Sequence, residues 1–346
     1  MPDYFANRMN MLGEINLQMR YSDRWKGARL AGWRKTTMAC VLAGVLALVL
    51  AACGDGSDGG GAGSSDAGGG DTTSGADFSA PSSVQTHEFD SSGAVSKNDG
   101  SIDISSLSKG VVAAQAKSAS RLKFLITCGE MSYNYDLPGD GTPITCPINM
   151  GDGSYTFAIM RNTGGNSYVE TNSTTQDVTL ESEFVPFAQP NMYCNYTNDS
   201  PCVAKARELT ANSQNEGDAV QAVCNYIIQN VSYDVEKAQK LSGTTGYVPN
   251  PDETLASGKG ICFDYASLGA AMLRSVGIPT KIVTGYVSPE DLYHAWIMVY
   301  IDGSWTSAKF SVNPQSWSRV DLTFGADSAS VGLVGDGKTY TERYVY

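Results

Sequence analysis

The sequence predicts an α+β protein, in which a small β-sandwich-like domain precedes a domain of helices packed on an antiparallel sheet. Residues 101–204 contain short alternating apolar runs separated by Gly, Asn and Asp turns, a pattern typical of antiparallel strands. Apolar residues then recur at helical spacing from about residue 205. Runs rich in Val, Ile and Tyr follow near the C-terminus, so helices and strands occupy separate stretches of the chain.

The first 53 residues have the composition of an export signal. A basic pair at residues 34–35 precedes an uncharged apolar run over residues 38–52, which is shorter than the roughly 20 residues of a membrane-spanning helix. The run ends in two alanines followed by Cys53 and resembles the bacterial lipobox, which implies that this cysteine is acylated. We therefore expect a lipoprotein anchored through Cys53 at the extracytoplasmic face of a bacterial cell membrane. A plain secretory signal or a buried helix is the alternative.

Residues 54–100 are rich in Gly, Ser, Asp and Thr and contain few apolar side chains. Such a segment buries too little surface to offset the entropy of ordering it. The composition therefore predicts a flexible linker, with His87 as a solvated residue within it. The formal net charge of the chain is −12, which disfavours nucleic-acid partners because phosphates repel an acidic surface.

The C-terminal part alternates between helical and extended patterns. A helix over residues 220–231, with Asp218 as its cap, is followed by a polar loop over residues 240–251. A second helix covers residues 262–276, because a glycine and a proline follow it. Strands are expected over residues 281–287, 293–301 and 339–346.

The cysteines suggest two disulfides and no metal site. Disulfides are permitted outside the cytoplasm, so we expect them where two cysteines flank a turn. Cys194 and Cys202 bracket a stretch rich in Asn, Asp and Pro, and Cys128 and Cys146 flank a Pro-Gly-Asp-Gly turn. Each bridge contributes about 2–3 kcal/mol if it is unstrained. The sequence has no Cys-x-x-Cys pair and no histidine cluster, so a metal centre is not expected.

Three residues of the C-terminal part have the chemistry of an acyl-transfer site. Cys262 opens a helix, His294 lies on a strand, and Asp321 follows later. A thiol, an imidazole and a carboxylate can act as nucleophile, base and orienting group. The helix N-terminus and a protonated imidazole would both favour the thiolate, and we expect Gly258 and Gly260 to let a substrate approach it. Taken singly, each of the three residues is more often structural.

These residues belong to an ordered series of motifs. The motifs are Gly260-x-Cys262, Leu273-Arg274-x-x-Gly277-Ile278-Pro279, Gly285-Tyr286, His294-Ala295-Trp296 and Trp317-x-x-x-Asp321-x-Thr323-Phe324. Together they resemble the bacterial transglutaminase-like superfamily over about residues 205–346. The resemblance implies a papain-like α+β core, with Cys262 as the nucleophile, His294 as the general base and acid, and Asp321 as the orienting carboxylate. Nothing in the sequence indicates a cofactor.

The last motif has two possible positions in the chain. Trp305 has Lys309 four residues on, where the pattern requires a carboxylate, whereas Trp317 has Asp321 at that distance. We therefore expect residues 305–316 to form an inserted hairpin and Asp321 to complete the site.

Two functions fit the sequence. In the first, Cys262 attacks a peptide or glutamine-type amide and the acyl-enzyme reacts with water or with an amine. The expected substrates are then exported proteins or peptides, including cell-wall peptides. In the second, the same fold is catalytically silent, and the lipoprotein binds or scaffolds a partner. The first is preferred because all three residues of the site are present.

Overall fold

The computed structural model describes residues 71–242, 244–287, 292–326 and 340–346. The described residues form two hydrophobic cores. The predicted signal, Cys53 and the linker as far as residue 70 lie outside the described residues. No described helix combines the length and the apolar character that crossing a lipid bilayer requires.

A β-sandwich surrounds the first core. The described strands in this part of the chain are β1 (Thr72–Gly75), β2 (Ala94–Lys97), β3 (Gly100–Asp103), β4 (Val111–Ala116), β5 (Leu122–Cys128), β6 (Met131–Leu137), β7 (Ile144–Pro147), β8 (Gly153–Gly164) and β9 (Ser167–Val178). Two antiparallel sheets, ordered β2-β3-β4-β7 and β6-β5-β8-β9, share the core. Alternate side chains of β5 point inward, so Leu122, Phe124 and Ile126 are buried while Lys123 points outward.

Helices and a second sheet surround the other core. A 3-10 turn at Val185–Phe187 leads to helices α1 (Pro201–Thr210), α2 (Glu216–Asn230), α3 (Val235–Leu241), α4 (Pro251–Ser257), α5 (Cys262–Ser275) and α6 (Leu322–Ala326). The strands are β10 (Ser232–Tyr233), β11 (Lys259–Gly260), β12 (Thr280–Val287), β13 (Leu292–Val299), β14 (Gly303–Thr306), β15 (Ser311–Val312), β16 (Ser318–Val320) and β17 (Tyr340–Val345). The predicted boundary at residue 204 falls inside α1.

Helix α5 packs on an antiparallel sheet with the strand order β16-β13-β12-β17. Every α5 residue from Asp264 to Ser275 is buried, so this helix lies at the centre of the second core. The pairing of β12 with β13 sets Gly285 opposite His294. Helices on an antiparallel sheet, preceded by a sandwich, confirm the predicted α+β fold class.

Helix α2 begins earlier than expected, because Asn215 is its cap and accepts the N–H of Asp218 at 2.9 Å. Asp218 therefore lies inside the first turn and is not the cap.

The expected hairpin within residues 305–316 is present, since β14 pairs with β15 and aligns Trp305 with Val312.

Residues 71–100 pack on the rest of the protein, so the linker prediction is wrong for this stretch. β1 pairs antiparallel with β14, β2 pairs with β3, and Val84 belongs to the second core. Composition counts apolar side chains, whereas strand pairing satisfies the backbone N–H and C=O groups that polar segments also carry. A segment poor in apolar residues can therefore still be built into a sheet.

His87 is also placed differently from the prediction. Its Nε2 atom lies 2.9 Å from Oδ2 of Asp103, and the two side chains are 10% and 0% exposed. Asp103, the last residue of β3, also accepts the backbone N–H groups of Asp90 and Ser105 at 2.7 and 2.9 Å. His87 is thus part of a partly buried polar cluster in the sandwich and is not a solvated linker residue.

All six cysteines of the described residues are free thiols, so both predicted disulfides are wrong. Cys128 ends β5 and Cys146 lies on β7, and these strands belong to different sheets. Cys194 and Cys202 are buried in the second core, where burial raises the pKa of each thiol. A turn-rich sequence between two cysteines brings the chain ends near each other, but it does not fix the side-chain geometry that a disulfide needs.

Candidate active site

Cys262 is the first residue of α5 and its side chain is half-buried. Backbone N–H groups in the first turn of a helix have no intrahelical acceptor and carry partial positive charge. The thiol therefore lies where negative charge on the sulfur, or on an oxygen bound next to it, is stabilised.

A buried carboxylate fixes this helix start. Oδ2 of Asp264 accepts a hydrogen bond from the N–H of Ile261 at 2.8 Å and pairs with Nζ of Lys237 at 2.8 Å. The hydroxyl of Tyr247 donates to Oδ1 of Asp264. Asp264 is fully buried, and its charge is matched by Lys237, as a buried carboxylate requires.

The two glycines before Cys262 have structural roles, and neither lines the cleft. A Cβ at Gly260 would lie 2.6 Å from the Cβ of Asp264, so the missing side chain makes room for the buried carboxylate. Gly258 ends α4 with a left-handed φ of 59°, a conformation that glycine adopts without strain.

His294 lies on β13 with its side chain buried in the second core. Its Nε2 atom is 2.8 Å from Oδ2 of Asp321, and neither side chain is exposed. The imidazole stacks on the ring of Phe324, with 4.4 Å between centroids and 11° between planes. The carboxylate and the aromatic ring together fix the orientation of the imidazole.

Asp321 is held by hydrogen bonds to both carboxylate oxygens. Oδ1 accepts the backbone N–H of Phe324 at 3.0 Å, and Oδ2 accepts the hydroxyl of Tyr340 at 2.8 Å. The residue joins β16 to α6, and its carbonyl accepts the N–H of Gly325 at 2.8 Å. These contacts leave the carboxylate little freedom to turn away from His294.

Burial and charge act in opposite directions on His294. Burial lowers the pKa of the imidazole, whereas the Asp321 carboxylate and then the sulfur of Cys262 raise it, and the balance holds this pKa at about 10. The ring is therefore an imidazolium at neutral pH. Because Asp321 engages Nε2, and Nδ1 has no hydrogen-bond partner in the described residues, Nδ1 is the nitrogen left to act on the thiol.

Cys262 and His294 line the same cleft. Aromatic side chains form much of its wall, namely Tyr193, Tyr233, Tyr247, Phe263, Tyr293 and Tyr346. The sandwich contributes three polar residues, namely Lys123, Asn134 and Asp136. The cleft is thus built jointly by the two parts of the chain.

The alternative position of the last motif does not reach the site. Nζ of Lys309 donates to the carbonyl of Gly325, and Lys309 does not line the cleft. The carboxylate next to His294 is that of Asp321, four residues after Trp317, so the structure favours the second of the two positions.

Comparison with known proteins gives a family for this part of the chain. The model of the transglutaminase-like superfamily matches residues 203–321. This segment belongs to the transglutaminase-like superfamily. The match includes Cys262 and His294 and ends at Asp321, so all three candidate residues lie within the transglutaminase-like domain.

Relatives and solved structures resemble the chain more distantly. An uncharacterized protein of Mycobacterium leprae is 29% identical over 177 residues, covering 48% of this chain and 56% of the relative. A UPF0252 protein of Methanocaldococcus jannaschii is 30% identical over 94 residues, covering 25% of this chain and 27% of the relative. The chain thus spans about half, or less, of the length of these relatives.

Among solved structures, a candidate cysteine protease from Cytophaga hutchinsonii has a TM-score of 0.37 and 17% identity, covering 68% of this chain and 79% of that chain. The transglutaminase of red sea bream has a TM-score of 0.18 and 13% identity, covering 64% and 49%.

Sequence reasoning missed the residues that support the transglutaminase-like site. Lys237 and Tyr247 meet Asp264 from α3 and from the loop before α4, and Tyr340 meets Asp321 from β17. Only Asp264 carried a local signal, because a carboxylate three residues after Ile261 fits a helix-capping pattern. The other three contacts join distant segments and have no short-range signature.

Proposed function

We propose that the transglutaminase-like domain is a cysteine acyl-transfer enzyme that acts on peptide or glutamine-type amide bonds. The contacts of the two ring nitrogens of His294 support this proposal most strongly. One ring nitrogen is held by a fixed carboxylate, and the other is left for the thiol at the start of a helix. This arrangement matches the nucleophile, base and orienting group of acyl transfer.

In the first half of the reaction, the Cys262 thiolate attacks the amide carbonyl carbon. The carbon–sulfur bond forms, and the electron pair of the carbonyl moves to its oxygen, where N–H groups of the first turn of α5 stabilise it. The carbon–nitrogen bond then breaks. The His294 imidazolium gives a proton to the departing nitrogen, so ammonia or an amine leaves and a thioester remains on the sulfur.

In the second half, the neutral imidazole of His294 accepts a proton from water or from an incoming amine. The deprotonated oxygen or nitrogen attacks the thioester, and the sulfur leaves as a thiolate. The product is an acid or a new amide, and the thiolate–imidazolium pair is restored. Asp321 stabilises the imidazolium through both halves because it stays bonded to Nε2.

The test uses the full chain, purified in detergent, with a blocked glutaminyl-glycine peptide and a fluorescent alkylamine. We expect ammonia release with wild type and none with Cys262→Ala. Incorporation of the amine identifies transfer, and release without incorporation identifies hydrolysis. Cys128→Ala is the matched control, because Cys128 is also half-buried but lies outside the cleft. Equal turnover by Cys262→Ala and wild type, or no turnover by folded wild type on any amide tested, would contradict the proposal.

We further propose that the enzyme is a lipoprotein of the bacterial cell surface, with the lipid on Cys53. The basic pair, the short apolar run and the small residues before Cys53 support this. In a bacterial host, Cys53→Ser is expected to move the protein from the membrane fraction to the soluble fraction and to abolish fatty-acid labelling. Cys40→Ser, in the same apolar run, is the control. Unchanged membrane retention of Cys53→Ser would contradict the anchor.

A further inference from the structure

One wall of the active-site cleft comes from the β-sandwich. Lys123 on β5 and Asp136 on β6 are paired directly across the two strands. Their neighbours Leu122 and Leu137 point into the sandwich core, so strand alternation turns Lys123 and Asp136 toward the cleft. The transglutaminase-like domain therefore does not form its cleft alone.

The charges on this wall do not cancel. Asp136 accepts Nε and Nη2 of Arg121 at 2.9 and 3.1 Å, and Nζ of Lys123 lies 3.1 Å from its Oδ1. One carboxylate thus faces two cations, and a surplus positive charge remains. Asp264, which is buried behind the cleft at the start of α5, is already matched by Lys237. A local positive surplus is notable in a chain with a formal charge of −12.

Lys123 is the cation available to a ligand. Its side chain is 16% exposed and lines the cleft. An ammonium group has three N–H donors, and Asp136 is the one ion-pair partner of Lys123 within the described residues. Two donors are left, whereas the Asp136 carboxylate already accepts from both cations. An anionic group is therefore favoured over a cationic group at this wall.

The wall is fixed relative to the thiol by the loop before α4. Nη2 of Arg121 donates to Oγ1 of Thr245 at 3.1 Å. Gly246, with a φ of 81°, lies so close to Asp136 that a Cβ there would be 2.3 Å from Oδ2. One residue later, Tyr247 bonds to Asp264 at the start of α5. The charged wall and the helix that carries Cys262 are thus held by one continuous set of contacts.

We propose that Lys123 is a specificity-determining residue, which binds a carboxylate of the acyl-donor peptide while Cys262 attacks an amide elsewhere in the same peptide. This inference rests on the proposed acyl-transfer function and adds a substrate class to it, namely peptides with a negative charge at a set distance from the reactive amide. Tyr193, Phe263 and Tyr346, which line the same cleft, provide aromatic surface for the peptide between the two points.

The test measures binding without turnover, using full-chain Cys262→Ala and acetyl-Gln peptides extended by one to four glycines. Each peptide is made with a free C-terminal carboxylate and with a carboxamide. At one spacing we expect the acid to bind at least about tenfold more tightly than the amide, with an advantage that shrinks as salt is added. Adding Lys123→Met should remove this advantage by weakening the binding of the acid. Lys97→Met, on the sandwich but outside the cleft, should preserve it.

Equal binding of acid and amide at every spacing, no binding of any peptide, or an acid preference that survives Lys123→Met in a folded variant would overturn the proposal. Turnover by wild type is measured separately with the amine probe. A preference for the acid without turnover would therefore refute the acyl-transfer function and leave the carboxylate site standing. Turnover without such a preference would support the acyl-transfer function and refute the carboxylate site.

Discussion

The protein contains two histidines, and each is paired with an aspartate in a different part of the molecule. In the sandwich, Nε2 of His87 lies 2.9 Å from Asp103. In the transglutaminase-like domain, Nε2 of His294 lies 2.8 Å from Asp321. Both carboxylates are buried and both accept a backbone N–H group. The distance and the burial of the imidazole–carboxylate contact therefore do not distinguish the two pairs.

The groups on the far side of each ring separate the two pairs. His294 shares a cleft with the half-buried thiol of Cys262 at a helix start, whereas His87 does not line that cleft. Asp103 uses its carboxylate to fix the backbone of residues 90 and 105, which is a structural task. An imidazole held by a carboxylate is therefore not by itself a catalytic group. It becomes one where the second nitrogen meets a nucleophile and a substrate can enter.

Replacing each histidine by glutamine should affect activity very differently in the two pairs. His294→Gln removes the proton donor and acceptor of the proposed reaction, so we expect activity to fall by about 10⁴-fold or more. His87→Gln should leave kcat/KM within about twofold, because it touches only the sandwich. Ammonia release and thermal unfolding are measured for both variants. A comparable loss of activity in the folded His87→Gln variant would contradict the separation of roles.

Replacing each aspartate by asparagine should also have different effects in the two pairs. Asp321→Asn removes the charge that keeps the pKa of His294 high, so activity should fall by up to about 10⁴-fold and the remaining pH profile should change. Asp103→Asn should lower the melting temperature without changing kcat. Retention of wild-type activity and pH profile by Asp321→Asn would refute the assigned role of the carboxylate.

His294 lies opposite Gly285 of β12, and β12 pairs with β17 on its other side. His87, in contrast, lies outside the described strands. A Cβ at Gly285 would lie 2.0 Å from the carbonyl oxygen of Thr341 on β17, the strand that delivers Tyr340 to Asp321. Gly285→Ala should therefore cost roughly 1–3 kcal/mol of unfolding free energy and reduce activity. Gly165→Ala is the control, because no atom lies within 4 Å of the added Cβ and only the positive φ opposes it. Equal unfolding costs for the two variants would show that β17 accommodates the methyl group.

The stability of the protein should depend on pH through the His294–Asp321 pair. The pKa of His294 is raised from its usual 6.5 to about 10 in the folded protein. The protonated pair therefore contributes stability that is complete below about pH 6.5 and is lost as the pH rises toward 10. The difference in unfolding free energy between wild type and His294→Gln should shrink over that range in urea titrations. A difference that stays constant or grows with pH would contradict the raised pKa.

Local sequence patterns predicted the positions of the candidate site residues better than they predicted the surroundings of those residues. Cys262 opens an apolar run of helical spacing, which predicts its place at a helix start, and motif spacing favours Asp321 over the Lys309 position. His87 was misplaced because composition does not report that Asp103 is available as a partner. The disulfides failed because spacing does not show that Cys128 and Cys146 lie on opposite sheets. The contact of Arg121 with Thr245 joins residues 124 positions apart, so no short-range pattern contains it.

The rate of thiol alkylation tests whether Cys262 and His294 form a thiolate–imidazolium pair. Cys128 and Cys262 are both half-buried, and the other four cysteines of the described residues are buried. If His294 holds Cys262 as a thiolate, iodoacetamide at pH 6 should label Cys262 roughly 10²-fold faster than Cys128. His294→Gln should remove that advantage, and His87→Gln should keep it. Slow labelling of Cys262 at the rate of Cys128, unaffected by His294→Gln, would contradict the thiolate–imidazolium pair on which the proposed function depends.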